Sequence, residues 1–417
     1  MSAETTAGIC TDRLAAFARR EAGIYARARP KALKALAEGA CHFLGGVPMH
    51  WMADWPMPHL PLIAKAQGAR IEDIDGRNLD DFCLGDTGSM FGHSPAPVAK
   101  AIRQQARNGL TYMLPTEAAL DAGRLLTDRF GPFRWQIATT ATDANRFALR
   151  VARAITAKPR VLVFNGCYHG TVDDTFVSLR NGKTVTSPGL LGQVNDLTET
   201  AVCAEFNDLA SVEAALAKGD VAAILTEPVM TNSCMVLPEA GFHDGLRQLS
   251  LKHGALLIID ETHTISSGLG GYTRVHSLRP DIFVVGKCVA GGMPTAVWGL
   301  TDETASRFEA ANARREPGRT GMGTTLSANP MQFACLVATL SEVMTPDNYA
   351  HMEKLAERLS HGLARVIDKH KAPWHVVRVG ARVEFICAPG PLKNGTQAGY
   401  AHQANFDTIL TDLFKAA

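Results

Sequence analysis

GALLIIDETHTISSGLGGYTRVHSLRPDIFVVGK (254–287) holds two short, nearly all-apolar runs, each closed by a charged residue. The first, LLIID, ends in Asp260, and the second, FVVGK, ends in Lys287. Runs that are apolar at every position, not at alternate ones, are the mark of buried parallel strands, because helices cover both faces of such a sheet. VLVFNG (161–166), VAAILTEP (221–228) and TAVWGLTD (295–302) share the pattern and are read the same way. Helical patterns lie between them. TDANRFALRVARAITA (142–157) places Phe147, Ala148, Val151, Ala152 and Ile155 on one face. PEAGFHDGLRQLSLKHG (238–254) has Pro near its start and Gly254 where the helix should stop. Alternating strands and helices predict an open α/β sheet, mostly parallel, as the large domain.

Outward from this core the chain changes character. GARIEDIDGRNLDDFCLG (68–85) reads as a hairpin turning at Asp75-Gly76. Before it, GGVPMHWMADWPMPHLP (45–61) contains four prolines, which forbid a regular helix and predict an ordered loop. Its Trp51 and Trp55 either cover a core or line a substrate pocket. Toward the C-terminus, AHMEKLAERLSHGLARVIDKHK (350–371) is a long amphipathic helix, followed by the strand-like WHVVRVGARVEFICAP (374–389). A smaller α+β domain built from both chain ends, 1–80 and 322–417, is therefore expected beside a large domain at 81–321.

Composition narrows the function. The 417 residues carry 42 Lys+Arg against 41 Asp+Glu, so the net charge of +1 gives no reason to expect a nucleic-acid partner. With 46% hydrophobic and 20% charged residues, the mix is that of a folded globular protein. No apolar run is long enough to cross a membrane, and the first residues lack the apolar stretch of a signal peptide. Nine cysteines without a CxxC pair suggest reduced thiols and no metal framework, so a cytoplasmic location is expected.

In open α/β sheets the ligand sits beyond the carboxyl ends of the strands, where Asp260 and Lys287 fall. A buried salt bridge is one reading of that pair. The other is an aldehyde cofactor held by the lysine, with the aspartate holding a protonated pyridine nitrogen. Two neighbouring segments support the second. ATTATDAN (138–145) is a small-residue turn opening into a helix, so its N–H groups and the helix dipole form an anion site. NGCYHGT (165–171) brings an aromatic residue and a histidine to the same sheet edge. An anion site, a ring-stacking aromatic, an acid and a lysine together are the parts needed to hold pyridoxal 5'-phosphate.

With these segments in place, and with FGHSPAPVAKAI (91–102) and TTLSANPM (324–331), the sequence resembles the class III, fold-type I pyridoxal-phosphate aminotransferases. The nearest branch is that of glutamate-1-semialdehyde aminomutase. The resemblance implies that Lys287 carries the cofactor as a Schiff base and shuttles a proton, while Asp260 keeps the ring nitrogen protonated. It implies that Thr140, Ala141 and Thr142 cradle the phosphate, that Tyr168 stacks on the ring, and that His169 supports it. Thr262 would pack under the ring, Glu227 would stand behind Asp260, and Thr324 would reach the phosphate of a neighbouring subunit. A homodimer with shared sites follows from the same resemblance.

Departures from the family pattern are confined to a few positions. Where members usually read SGTEA, this chain has Thr140-Ala141-Thr142-Asp143-Ala144, and where Glu-Val follows the aspartate it has Glu261-Thr262, then His263. His263 is read as a structural hydrogen-bonding group or a substrate contact. The sequence also ends earlier than members usually do, at DTILTDLFKAA (407–417). Arg382 is either a surface arginine on a strand or the anchor of a substrate carboxylate. The expected activity is transfer of an amino group from an amine or amino acid to a keto or aldehyde acceptor, by a ping-pong cycle. The alternatives are an intramolecular aminomutase of the glutamate-1-semialdehyde type and a catalytically retired binding module. A nicotinamide dehydrogenase is excluded, since no GxGxxG follows the first strand.

Overall fold

The computed structural model describes residues 11–55 and 57–406, so the C-terminal DTILTDLFKAA lies outside the described residues. Fourteen strands are present among them. They are β1 (Ile63–Gln67), β2 (Arg70–Asp73), β3 (Asn78–Asp80), β4 (Arg134–Ala138), β5 (Arg160–Phe164), β6 (Val177–Arg180) and β7 (Lys183–Thr186). The second half of the chain adds β8 (Ala201–Ala204), β9 (Val221–Thr226), β10 (Leu256–Asp260), β11 (Ile282–Val285), β12 (Ala296–Leu300), β13 (His375–Val379) and β14 (Arg382–Ile386). By packing, the described residues up to Phe82 group with Tyr400–Phe406, and Cys83–Gly399 form a second unit. The boundary expected at 321/322 does not coincide with this division.

In the first unit, β1, β2 and β3 form an antiparallel sheet, with the expected turn at Asp75-Gly76. Gly76 has φ 83°, which suits a residue without a Cβ. Asp75 does more than turn the chain. Its carboxylate accepts the N–H groups of Lys31 (2.8 Å) and Ala32 (3.0 Å), capping the helix Pro30–Gly39. Arg29 Nε and Asp73 Oδ2 make a buried ion pair at 3.0 Å in the same corner. The proline-rich loop is interrupted by a short 3-10 turn, His50–Asp54, which fits between Pro48 and Pro56.

The second unit is built on a seven-stranded sheet of order β4-β12-β11-β10-β9-β5-β8. Both faces are covered, which is why its strands read as continuous apolar runs. Along β11, Ile282 and Val284 enter one hydrophobic cluster with Phe147 and Val151 of the helix Ala141–Thr156. Phe283 and Val285 enter the opposite cluster, with Leu126 and Leu336 from the helices Glu117–Phe130 and Pro330–Ala338. This is the mostly parallel α/β domain that the sequence predicts.

Three readings need correction. TAVWGLTD was expected to run parallel, but β12 is antiparallel to both β11 and β4. Only Gly286–Thr295 separates β11 from β12, too short for the dozen or more residues that a parallel crossover needs. WHVVRVGARVEFICAP is not one strand but the hairpin β13–β14, turning at Gly380 with φ 54°. The helix expected from Pro238 begins only at Phe242, because Gly241 adopts a left-handed conformation at its N-cap, and it ends at Gly254 as predicted. No helix among the described residues is long and apolar enough to cross a membrane.

Candidate active site

The chemistry-bearing residues collect where the parallel strands end. Asp260 closes β10, Glu227 follows β9, Lys287 follows β11, the segment with Tyr168 and His169 follows β5, and Thr139–Thr142 follow β4. All of these segments line one cavity of about 410 Å³. Its position beyond the carboxyl ends of the strands follows from the open-sheet topology.

At one end stands the N-terminus of the 16-residue helix Ala141–Thr156. Thr140 caps it: its hydroxyl oxygen accepts the Asp143 N–H at 3.2 Å and its hydroxyl donates to the Asp143 carboxylate at 3.0 Å. Ala141, where the family resemblance implies a glycine, sits in the first turn with an ordinary negative φ, so its Cβ brings no backbone strain. The methyl group is accommodated from the other side, since a Cβ built on Gly286 would stand 3.0 Å from that of Ala141. Thr142 Oγ1 accepts the Thr171 N–H at 3.1 Å, tying the β5 loop to the helix start.

That tie demands a glycine at position 170. Gly170 has φ 79°, and an added Cβ would lie 2.9 Å from Thr142 Cα. Gly170→Ala is therefore expected to cost roughly 2–4 kcal/mol, from left-handed strain plus overpacking, and to weaken anion binding at the helix start. Thermal unfolding of the apoprotein checks the first effect, and a melting temperature equal to that of the parent would refute it.

Asp260 is held by three donors. Its Oδ2 accepts from Asn145 Nδ2 (2.7 Å) and pairs with His169 Nδ1 (3.0 Å), and its Oδ1 accepts the Thr262 N–H (3.1 Å). Burial pushes this carboxyl up, but His169, Thr262 and Asn145 together outweigh it and hold it below its ordinary value. A carboxylate depressed in the folded state stabilises the fold above the ordinary aspartate range and ceases to do so as pH falls through it. Tyr168 lines the cavity with its ring partly exposed, and burial raises its hydroxyl. The hydroxyls of Thr262 and Thr295 also line the cavity and are buried without a partner.

Lys287 lies in the left-handed region at φ 50°, a strained conformation for a side chain of this size. Its Nζ donates to Asp86 Oδ2 at 2.7 Å and meets His263 Nε2. His263 Nδ1 meets Thr231 Oγ1, and the Thr231 hydroxyl donates to Glu227 Oε2 at 2.5 Å. Glu227 was expected behind Asp260, but its hydrogen bonds run to Thr231 and to the Tyr168 N–H (3.3 Å). Arg382 sits partly buried at the start of β14, donating to Thr87 Oγ1 (3.3 Å) and to the Thr231 carbonyl (3.2 Å), while its Nε is buried without a partner.

Three groups of expected residues lie outside the cavity lining: Arg382, Thr324, and the pair Trp51 and Trp55. Thr324 is exposed, and its hydroxyl meets Ser327 Oγ at 2.7 Å, which in turn meets Thr139 Oγ1 at 3.2 Å. Trp51 and Trp55 belong to the other unit, half-exposed, with ring centroids 6.3 Å apart. Sequence reasoning missed Asp86, Thr231 and Asn145. Asn145 closes the quoted ATTATDAN and could have been found as an inward-facing amide on the helix face that buries Ala144 and Ala148.

The chain matches the family model Aminotransferase class-III over residues 52–389. Among solved structures it is similar to a glutamate-1-semialdehyde-aminomutase from Pseudomonas aeruginosa PAO1, at 47% identity and TM-score 0.91, covering 94% of this chain and 88% of that one. It is also similar to an omega-transaminase from Sphaerobacter thermophilus, at 27% identity and TM-score 0.79, covering 89% and 84%. A glutamate-1-semialdehyde 2,1-aminomutase from Sorangium cellulosum is 34% identical over 93% of this chain and 88% of its own. A family match over most of the chain, and relatives above 30% identity over nearly all of it, lead to one conclusion: this chain belongs to the class-III aminotransferases, a pyridoxal-phosphate family of fold type I.

Proposed function

We propose that this enzyme shifts an amino group between neighbouring carbons of one small carboxylate-bearing molecule, as an aminomutase of the glutamate-1-semialdehyde type. The observation that carries the proposal is the 47% identity to an aminomutase over 94% of the chain, against 27% to the omega-transaminase. Transfer between two molecules, which the sequence alone put first, becomes the second choice.

The residues present fit the cofactor of the family. A helix N-terminus offers N–H groups and a dipole to a phosphate. A buried carboxylate kept below its ordinary range can face a protonated ring nitrogen. Thr262 and Thr295 present buried, unpartnered hydroxyls to whatever fills the cavity. Thr140, Ala141 and Thr142 would hold the phosphate, Asp260 with His169 behind it the ring nitrogen, and Tyr168 the ring face. Thr324 is assigned to the phosphate in a second copy of this chain, within a homodimer. When bound, the cofactor supplies an electron sink for the pair left behind when a proton leaves the substrate carbon. The protein's part is to place Lys287 where its Nζ can remove that proton and return it one carbon away, and to keep both carbons within reach.

Arg382 is the proposed anchor for the substrate carboxylate. Its charge stands on Thr231, one contact from His263 and two from Lys287. Arg382→Met is expected to raise KM about 10–100-fold with a smaller change in kcat, the loss of one or two charge-assisted hydrogen bonds. A parent-like KM would remove Arg382 from the site. The reaction class is tested by giving the cofactor-loaded enzyme glutamate-1-semialdehyde with no other donor or acceptor. Steady formation of the amino-shifted isomer is expected, and turnover that starts only after an acceptor is added would return the enzyme to intermolecular transfer.

A further inference from the structure

We infer that His263 is the acceptor that takes the proton from Lys287, held in the accepting tautomer by a relay through Thr231 to Glu227. The inference rests on the reading that Lys287 holds the cofactor. An ammonium can neither add to an aldehyde nor take a proton from carbon, because its lone pair is occupied. A resting ammonium must therefore give one proton to a nearby base before it can capture the aldehyde.

Two groups touch Nζ, the Asp86 carboxylate at 2.7 Å and His263 Nε2, and the relay behind His263 is what fixes it as a proton acceptor. Glu227 Oε1 accepts the Tyr168 N–H at 3.3 Å, and Oε2 accepts the Thr231 N–H at 3.2 Å, so this carboxylate is fixed as an acceptor. The Thr231 hydroxyl donates to Oε2, which leaves its oxygen to accept from His263 Nδ1–H. The ring nitrogen left without hydrogen is Nε2, which faces Lys287 Nζ. The proton crosses from Nζ to Nε2: one N–H bond breaks, one forms, and the electron pair stays on the lysine nitrogen. The reverse step restores both groups.

The transfer runs uphill, so the protonated imidazole is a transient state and not the resting one. In water lysine holds its proton about 10⁴ times more tightly than imidazole. Two carboxylates flank the ring: Asp86 Oδ2 stands 3.4 Å from Nε2 and 2.7 Å from Lys287 Nζ, and Glu227 Oε2 stands 4.0 Å from Nδ1. Other titratable or charged groups near the relay include Arg382, on the Thr231 carbonyl, Cys167, whose thiol is raised by burial and by Glu227, and Glu384, whose carboxyl is raised by burial. The imidazole is largely shielded from solvent, with 9% of its side chain exposed.

Capture of cofactor by the full-length apoprotein reads this step without any turnover. The measurement is the rate at which absorbance of the lysine-held cofactor appears after mixing with pyridoxal phosphate, between about pH 6 and 10. His263→Gln keeps an amide near the same place but cannot hold the proton. Its capture rate at pH 7 is expected to fall about 10–100-fold, and to climb with pH until it meets the parent rate near pH 10. Thr231→Val, which breaks the relay but keeps the volume, is expected to slow capture about 3–10-fold at pH 7. A His263→Gln profile equal to that of the parent would overturn the inference. Should that variant not fold, a parent-like profile for Thr231→Val would overturn it instead. A parent that shows no cofactor band overturns the cofactor reading and this inference with it, a result distinct from either variant outcome.

Discussion

Lys287→Ala is expected to abolish the absorbance of lysine-held cofactor and to lower turnover at least about 10³-fold while leaving the fold intact. Lys287 is the only lysine among the residues lining the cavity, and its backbone is held in a left-handed conformation. An alanine there loses the amine and nothing of the core, because the lysine side chain is itself part-exposed and contacts only Asp86 and His263 by hydrogen bonds. The Lys287–Asp86 pair, with Asp86 60% exposed, contributes little to stability, so the melting temperature should stay within a few degrees of the parent. Circular dichroism and thermal unfolding separate loss of chemistry from loss of fold. Full turnover in this variant would remove the lysine from the reaction.

Asp260 differs in kind, because it serves both fold and chemistry. Removing the carboxylate in Asp260→Ala leaves the donors of Asn145, Thr262 and His169 without their acceptor in a buried site. A loss of roughly 3–5 kcal/mol of stability is expected, as for other broken buried pairs. Asp260→Asn keeps the volume and one acceptor oxygen, so its stability should fall less. Its turnover should still fall about 10²–10⁴-fold, since a neutral amide cannot hold a proton on a ring nitrogen. Melting curves and initial rates on the two variants give the comparison. An asparagine variant with parent turnover would contradict the role assigned to this carboxylate.

Much of this site was legible from residue order because the open-sheet rule ties position in the chain to position in space. A buried strand that ends in Asp or Lys places that group beside the cavity, and Asp260, Lys287, Tyr168 and His169 were all found that way. The anion turn was legible for the same reason, as small residues directly ahead of a helix. Asp86 and Thr231 were not. Each sits in an irregular loop, and Asp86 meets Lys287 from 201 positions away, so no periodicity or spacing linked them. The backbone around Asp86 runs through left-handed conformations at Leu84, Asp86 and Thr87, which only coordinates reveal.

The sheet shows the same division. β9, β10 and β11 were readable because both faces are dry. β4, an edge strand with Arg134 and Gln136 exposed, carries no continuous apolar signal and was missed. The reversal of β12 was written in the short connection after Lys287, a geometric limit that its apolar content conceals. His263 was legible as a residue but not as a role, since its role depends on Thr231 and Glu227 arriving from β9 and the loop beyond.

The central claim is that Lys287 is the amine that holds pyridoxal phosphate. It is tested most directly by loading the full chain with the cofactor, reducing with borohydride to fix the cofactor to whatever amine holds it, and mapping the peptides by mass. The expected result is one labelled peptide, carrying the added mass on Lys287. A label on another lysine, or no label after loading, would contradict the account.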